Sequence, residues 1–295
     1  MKSLEFYSAN LRQLLQQLPS VPKADPGFPK LTVITPSYNQ GKYLERTILS
    51  VLNQNYPNLE YIIIDGGSND ESVDIIKKYE KYLTYWISEK DNGQVDALNK
   101  GLHRATGEWI SFQNSDDVYF PDTFDTFGNA VKTLPDSDIL YGDLFMITPT
   151  DEVTELLKTL PYSFLCQFIE GMQIHNQSLF FRKRLVDHFG FFDTSYRFAF
   201  DYEFITRYTA QEGVRIRRVE GLAGALRVHE EAKSSTIAKV GLQEHERVKK
   251  AYRNSQTIPI PDKILYLYCR FRKIAYLLGK MDWKYIAHRD RLRSL

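Results

Sequence analysis

The chain has 295 residues, with 38 Lys and Arg against 37 Asp and Glu and a formal net charge of +1. That length fits one large or two modest domains, and so balanced a charge gives no field that would draw nucleic acid. Cys166 and Cys269 are the two cysteines, far apart and without metal-ligand spacing, so a reducing compartment and no disulfide framework are expected. Met1 to Gln17 carries Glu5 and Arg12 and lacks an uninterrupted apolar core, so it does not read as a signal peptide. No apolar run is long enough to span a bilayer.

Leu4, Leu11, Leu14, Leu15 and Leu18 recur at helical spacing and predict an amphipathic helix. The proline-rich stretch from Pro19 to Pro29 then reads as a linker. Leu31 to Thr35 is a β-rich run ended by Pro36, and a helix follows over Gly41 to Gln54 with Leu44, Ile48, Val51 and Leu52 on one face. Leu59 to Ile64 predicts a second strand, followed by a helix carrying Val73, Ile76 and Tyr79. Leu83 to Ile87 predicts a third strand, Gln94 to Arg104 a helix and Trp109 to Phe112 a fourth strand. Such alternation implies parallel β-α-β units with right-handed crossovers, and ligands bind such sheets outside the carboxyl ends of the strands.

The segments at those ends are Thr35-Pro36-Ser37-Tyr38-Asn39, Asp65-Gly66-Gly67-Ser68, Glu89-Lys90-Asp91-Asn92-Gly93 and Asn114-Ser115-Asp116-Asp117. All are polar. The last places two carboxylates side by side, which is costly without a counter-charge. Mg²⁺ or Mn²⁺ takes one or two such carboxylates together with substrate phosphates. The local alternative is an Asp-rich turn with Asp122 capping the next helix. Neither a Gly-x-Gly-x-x-Gly nor a P-loop pattern is present, so a metal-bridged diphosphate is favoured over a backbone-cradled one.

The second half is less regular. Asp138 to Tyr141, Leu144 to Thr148 and Ile174 to Arg182 read as short strands. Phe198 to Phe204 places Asp201 among aromatics and runs into a helix; desolvation there is expected to raise the Asp201 pKa. Val214 to Val219 and Leu222 to Arg227 read as a strand pair, with His229 after them. Ile237 to Asn254 is helical, and two further helical patterns run from about 263 to 294 after Pro259 and Pro261.

Several of these stretches, in this order and spacing, resemble family 2 glycosyltransferases. They are Thr35 to Asn39, Ile63 to Asp70, Asp91-x-Gly93-x-x-Asp96-Ala97-x-Asn99-Lys100-Gly101, Asn114 to Asp117, His175-x-Gln177-Ser178-x-Phe180, Asp201-Tyr202-Glu203-Phe204, and Arg227-x-His229 with Lys233-Ser234. The likeness covers about residues 30–236. It implies an α/β protein of the GT-A nucleotide-diphospho-sugar transferase fold, with a mostly parallel central sheet flanked by helices and a helical C-terminal extension. It also implies an inverting glycosyltransferase with a nucleotide-sugar donor, UDP-sugar first, and a divalent metal, Mn²⁺ or Mg²⁺. The division expected is a helix and linker over 1–29, a donor-binding half over 30–120, an acceptor-binding half over 121–255 and a basic extension over 256–295.

On that resemblance Thr35, Pro36, Ser37 and Tyr38 lie along the nucleobase and Asp65 recognises uracil or ribose. Asp96, Lys100, Asn114 and Ser115 belong to the donor side. Asp116 matches the last acid of the Asp-x-Asp metal motif, with Asp117 and His229 as further metal-side groups. His175 and Gln177 fall on the acceptor side, and Asp201 matches the catalytic base. Two positions depart from the family pattern: Asn114 replaces the first acid of the metal motif, and Phe200 replaces the acid before the base. The competing readings are a helix cap for Asp201, and, for the whole chain, a non-catalytic nucleotide-sugar-binding partner subunit or a nucleotidyltransferase. The acceptor class implied is a glycan or lipid-linked hydroxyl, handled in the cytoplasm. Residues 263–295 carry Lys263, Arg270, Arg272, Lys273, Lys280, Lys284, Arg289, Arg291 and Arg293 against Asp282 and Asp290. They read either as helices packed on their own domain or as a peripheral contact with the inner face of the cytoplasmic membrane.

Overall fold

A computed structural model describes residues 3–23, 25–231, 238–253, 260–280 and 285. Lys233, Ser234 and the second helical pattern of the C-terminal extension lie outside them. The first helix, α1 (Leu4–Gln16), buries Leu11, Leu14 and Leu15, and it stops before Leu18, which is 92% exposed. The amide of Asn53 donates to Leu14 O and Gln17 O, tying the helix end to the domain.

The first half alternates as expected: β1 (Leu31–Ser37), α2 (Gly41–Leu52), β2 (Leu59–Asp65), α3 (Ser72–Tyr79), β3 (Tyr85–Ser88), α4 (Gln94–Arg104) and β4 (Trp109–Phe112). These strands are parallel and lie in the order β3-β2-β1-β4. Helices on both faces explain why their residues are apolar in unbroken runs. Leu31, Val33 and Trp109 enter one cluster, with Leu44 and Ile48 of α2. Ile34, Ile110 and Phe112 enter the other, with Leu98 and Leu102 of α4. The period of two along each strand assigns the face.

The second half extends the same sheet. The elements are β5 (Val118–Tyr119), α5 (Thr123–Thr133), β6 (Ile139–Ile147), β7 (Val153–Leu157), α6 (Phe164–Glu170), β8 (Leu179–Arg182), α7 (Lys183–Phe189), α8 (Phe200–Thr209), β9 (Ile216–Arg227), α9 (Ala238–Arg253) and α10 (Asp262–Gly279). From β4 the order continues β8-β6-β9-β5, with β7 paired to β6.

Three expectations are corrected. The two short strands expected over 138–148 are one strand, β6. The expected pair over 214–227 is also one strand, β9, parallel to β6. Gly142 and Gly221 look like breaks in the sequence, but here they let two strands pass closely. A Cβ on Gly142 would sit 1.7 Å from Leu222 O, and Gly221 has φ +87° beside a register shift. Finally, Cys166 of α6 and Cys269 of α10 form a disulfide across a Cα–Cα distance of 5.7 Å, contrary to the expectation of two separate thiols. Sequence separation hid a contact that the packing of α10 on α6 creates.

Candidate active site

The carboxyl edge of the parallel strands is held by side chains bonding to neighbouring loops. Asp65, fully buried at the end of β2, accepts from Ser68 Oγ at 2.6 Å, Ser88 Oγ at 2.6 Å, and the backbone N–H groups of Gly67 at 3.1 Å and Ser68 at 2.9 Å. It therefore fixes its own loop and joins β2 to β3. The loop after β1 is bound to the same segment. Asn39 N–H donates to Ser68 Oγ, Asn69 N–H to Asn39 Oδ1, and Gly41 N–H to Asp70 Oδ2, each at 2.8 Å. Beside this frame Pro36 and Ser37 are buried and Tyr38 is 57% exposed, an aromatic surface at the strand end.

Asp91, Asp96 and Lys100 complete this side. A Cβ on Gly66 would meet Asp91 Oδ2 at 2.8 Å, so the absence of a side chain there seats the carboxylate. Burial raises the Asp91 pKa, and the charges of Asp96 and Asp65 push the same way. Asp96 accepts from Asn92 N–H at 3.1 Å, and Lys100 lies 2.9 Å from Glu89 and 3.8 Å from Asp96. The motif around Asp91 gives it no role of its own; its packing on Gly66 depends on a loop-to-loop approach that spacing does not show.

The loop after β4 divides its acids. Asp116 is half-buried, and its Oδ2 lies 3.1 Å from His229 Nε2. Asp117 is fully buried. It accepts from Gln177 Nε2 at 2.7 Å and Asn114 Nδ2 at 3.0 Å on Oδ2, and from Arg227 N–H at 2.9 Å on Oδ1. Its expected metal role is thus replaced by one of holding the loop to β9 and to the residues before β8. Gln177 is buried in the same contact and not on an acceptor surface. Burial pushes the Asp117 pKa up and Asp116 adds to this, while the three donors favour the ionised form. Asn114 also accepts from Gln94 Nε2 at 2.6 Å, bridging to α4.

Arg227 is the support beneath. Its side chain is buried, donating from Nε to Asp116 O at 2.8 Å and from Nη1 to Thr148 O at 2.9 Å, and pairing with Asp151 at 2.7 Å. Asp151 also takes Arg46 Nε at 2.7 Å. Two residues on, His229 packs on the Tyr43 ring of α2 at 4.7 Å between centroids. The Asp116–His229 pair therefore stands where β4, β9 and α2 meet.

Asp201 belongs to the second half of the chain. It is the second residue of α8, half-buried, and the helix N-cap is Ala199, so the cap reading of Asp201 does not hold. The N–H groups of Arg197, Phe198 and Ala199 instead converge on the Glu244 carboxylate of α9, each at 2.8 Å. Phe200 lies 6.4 Å from Phe112, the last residue of β4, which sets the first turn of α8 at the same end of β4 as the acid loop. Phe204 stacks on Phe192 at 4.1 Å and belongs to the core. Burial lowers the His175 pKa to about 4, and the charge of Lys273 on α10 adds to the effect.

Among the described residues no group of three or more His, Cys, Asp or Glu converges as a self-sufficient metal site. Asp116 and His229 fit a cation that takes its other ligands from a diphosphate: cis ligands at about 2.1 Å in an octahedral shell stand about 3 Å apart.

The profile described as Glycosyl transferase family 2 matches residues 32–187, more than half of the chain. The chain belongs to this family. An uncharacterized glycosyltransferase of Mycobacterium tuberculosis is 35% identical over 185 residues, 61% of this chain and 68% of its own length. TuaG of Bacillus subtilis, a putative teichuronic acid biosynthesis glycosyltransferase, is 42% identical over 99 residues, 32% of this chain and 38% of its own. Among solved structures, residues 1–349 of S. aureus TarS with UDP-GlcNAc align with a TM-score of 0.59 at 20% identity, over 84% of this chain and 73% of that one. The chain spans 41% of a longer TarS structure. The mannosyltransferase PcManGT of Pyrobaculum calidifontis, with GDP-Man and Mn²⁺, aligns with a TM-score of 0.58 at 19% identity, over 99% of this chain and 88% of that one. The family's GT-A fold is thus the fold of this chain: a mixed sheet flanked by helices with a helical C-terminal segment.

Proposed function

We propose that this chain transfers a sugar from a nucleotide-diphosphate donor, a UDP-sugar first, to a hydroxyl of a glycan or lipid-linked acceptor, with inversion at the anomeric carbon. The observation that carries this reading is the Asp116–His229 pair at the carboxyl edge of the sheet, with Asp201 in the first turn of α8 at the same end of β4. Complexes of related folds with UDP-GlcNAc and with GDP-Man and Mn²⁺ support the donor class.

In this mechanism Tyr38 offers a face to the base, and Asp65 holds the loop that receives the nucleoside. A divalent cation, when bound, neutralises charge on the departing diphosphate. Asp116 and His229 would hold that cation, and Arg227 fixes Asp116 through its backbone carbonyl. Asp201 takes the proton of the acceptor hydroxyl as it attacks the anomeric carbon from the face opposite the diphosphate.

The test is nucleotide release from UDP-GlcNAc, UDP-glucose and GDP-mannose, with Mn²⁺ and with a chelator, alongside thermal stabilisation by each donor. Metal-dependent release of UDP from a UDP-sugar is the expected result. The second reading, a non-catalytic nucleotide-sugar-binding subunit, is favoured by Asn114 at the first position of the metal motif. Stabilisation by a donor without turnover supports it. Neither stabilisation nor release by any donor removes both readings.

A further inference from the structure

Helix α10 has one face against the domain and an apolar face outside it. Leu265, Cys269 and Leu277 are buried, Cys269 in the disulfide to α6, and Arg272 donates to Pro161 O and Tyr162 O. On the other face Ile264, Leu267, Tyr268, Phe271, Ile274 and Leu278 are exposed, Phe271 by 70% and Leu267 by 61%. At about 100° per residue they fall within an arc of about 120°. A core-facing helix has its apolar arc inward; this one has a second arc outward, so packing on its own domain does not explain it.

The charge around the arc selects the occupant. From Asp262 to Lys280 the segment carries Lys263, Arg270, Arg272, Lys273 and Lys280 against Asp262 alone. Lys263 and Arg270 border the apolar arc on the same flank. At the end of the helix Lys280 lies 3.7 Å from Glu220, and Arg217 lines the same cleft of about 390 Å³, so among the described residues the unpaired basic flank of the arc is that of Lys263 and Arg270. Two copies of this chain paired across the arc would set these cations against each other. A bilayer with anionic headgroups takes the apolar side chains into its interface and the basic ones at its phosphates.

We infer that the outward face of α10 docks on an anionic lipid bilayer. No helix of the described residues is long and apolar enough to cross a membrane, so the contact lies in the plane of the interface. The helix is linked to α6 through the disulfide, and the charge of its Lys273 reaches His175. Resting on the glycosyl-transfer reading, docking through this helix makes a lipid-linked hydroxyl the acceptor class.

The experiment is co-sedimentation of the full chain with phosphatidylcholine vesicles and with vesicles also containing phosphatidylglycerol, at about 0.05 M and about 0.5 M salt. Binding to the anionic vesicles, weakened by salt, is expected. Leu267→Ser with Phe271→Ser is expected to lower the bound fraction roughly tenfold. Lys263→Glu with Arg270→Glu is expected to remove the preference for anionic lipid. Leu267, Phe271 and Lys263 are exposed and Arg270 is half-buried, so melting temperature should stay near wild type and verifies folding. The readout is independent of turnover, so an inactive chain that still binds leaves the docking standing. No binding to anionic vesicles, binding that ignores both double variants, or a stable dimer that the Ser variants dissociate would each overturn the proposal.

Discussion

Asp116 Oδ2 lies 3.1 Å from His229 Nε2, although 113 residues separate them. The contact joins the loop after β4 to the chain leaving β9, and the same spacing that permits a hydrogen bond suits two cis ligands of one cation. Asp116→Ala is expected to abolish the part of UDP binding that depends on Mn²⁺, and His229→Ala to weaken it. Calorimetric titration of UDP with and without Mn²⁺ measures this. Unchanged metal-dependent affinity in Asp116→Ala would remove Asp116 from the site.

Asp117 has a different test. Its two oxygens face only donors: Gln177 Nε2 and Asn114 Nδ2 on one, Arg227 N–H on the other. An asparagine amide must set its NH₂ against one of these donors, in a place without solvent. Asp117→Asn is therefore expected to cost about 1–3 kcal/mol of stability, read by urea denaturation. Burial and the Asp116 charge raise the Asp117 pKa to about 8, so the comparison is made at about pH 9, where the carboxylate accepts from all three donors. Wild-type stability of the variant at that pH would show that the three donors do not depend on the carboxylate.

The first half of the fold was legible because each buried strand is short, β-branched and bounded by turn residues. Trp109–Phe112 and Gln94–Arg104 match the spans read from sequence. Strand β9 was not legible: Gly221 carries the signature of a turn, and only the close approach of Leu222 to Gly142 makes it an interruption within one strand. The site was half legible. A motif names Asp116 and Asp117 together, yet one reaches His229 and the other is enclosed by Gln177 and the β9 backbone, a difference set by partners 60 or more residues away. The roles of Arg227, Asp151 and Glu244 depend on contacts between distant elements, and local pattern carries no signal for them.

His175 gives the chain a pH dependence of defined sign. Its pKa falls from 6.5 to about 4 on folding, through burial first and the Lys273 charge second. Between those values the unfolded chain binds more protons than the folded one, so the contribution of His175 to stability rises with pH across this window. It is complete above about pH 6.5 and lost as pH falls through the folded value. His175→Asn should flatten that part of the curve. Thermal unfolding at intervals from pH 4 to pH 7 compares the two proteins; parallel curves would show that the imidazole is not held neutral.

The assignment of Asp201 as the base now has a sharper test than the sequence alone allowed. If the side chain capped α8, asparagine would serve nearly as well and activity would survive. Ala199 holds the cap position, and Glu244 satisfies the N–H groups of Arg197, Phe198 and Ala199, so the helix start does not rest on Asp201. Asp201→Asn keeps the shape, and its Oδ1 can still accept from Tyr202 N–H, the 2.8 Å contact of the native residue. It removes the charge and with it the basicity. Melting temperature and donor affinity should therefore stay near wild type, while turnover falls by roughly 10²–10⁴-fold, the range for a positioned base. One base and no covalent intermediate make a single displacement, so an α-linked donor should give a β-linked product. Glu244→Gln provides the contrast: it weakens the anchoring of three N–H groups and should lower stability as well as rate. Full activity in Asp201→Asn, or a product that keeps the donor's anomeric configuration, would transfer the role of base to another residue.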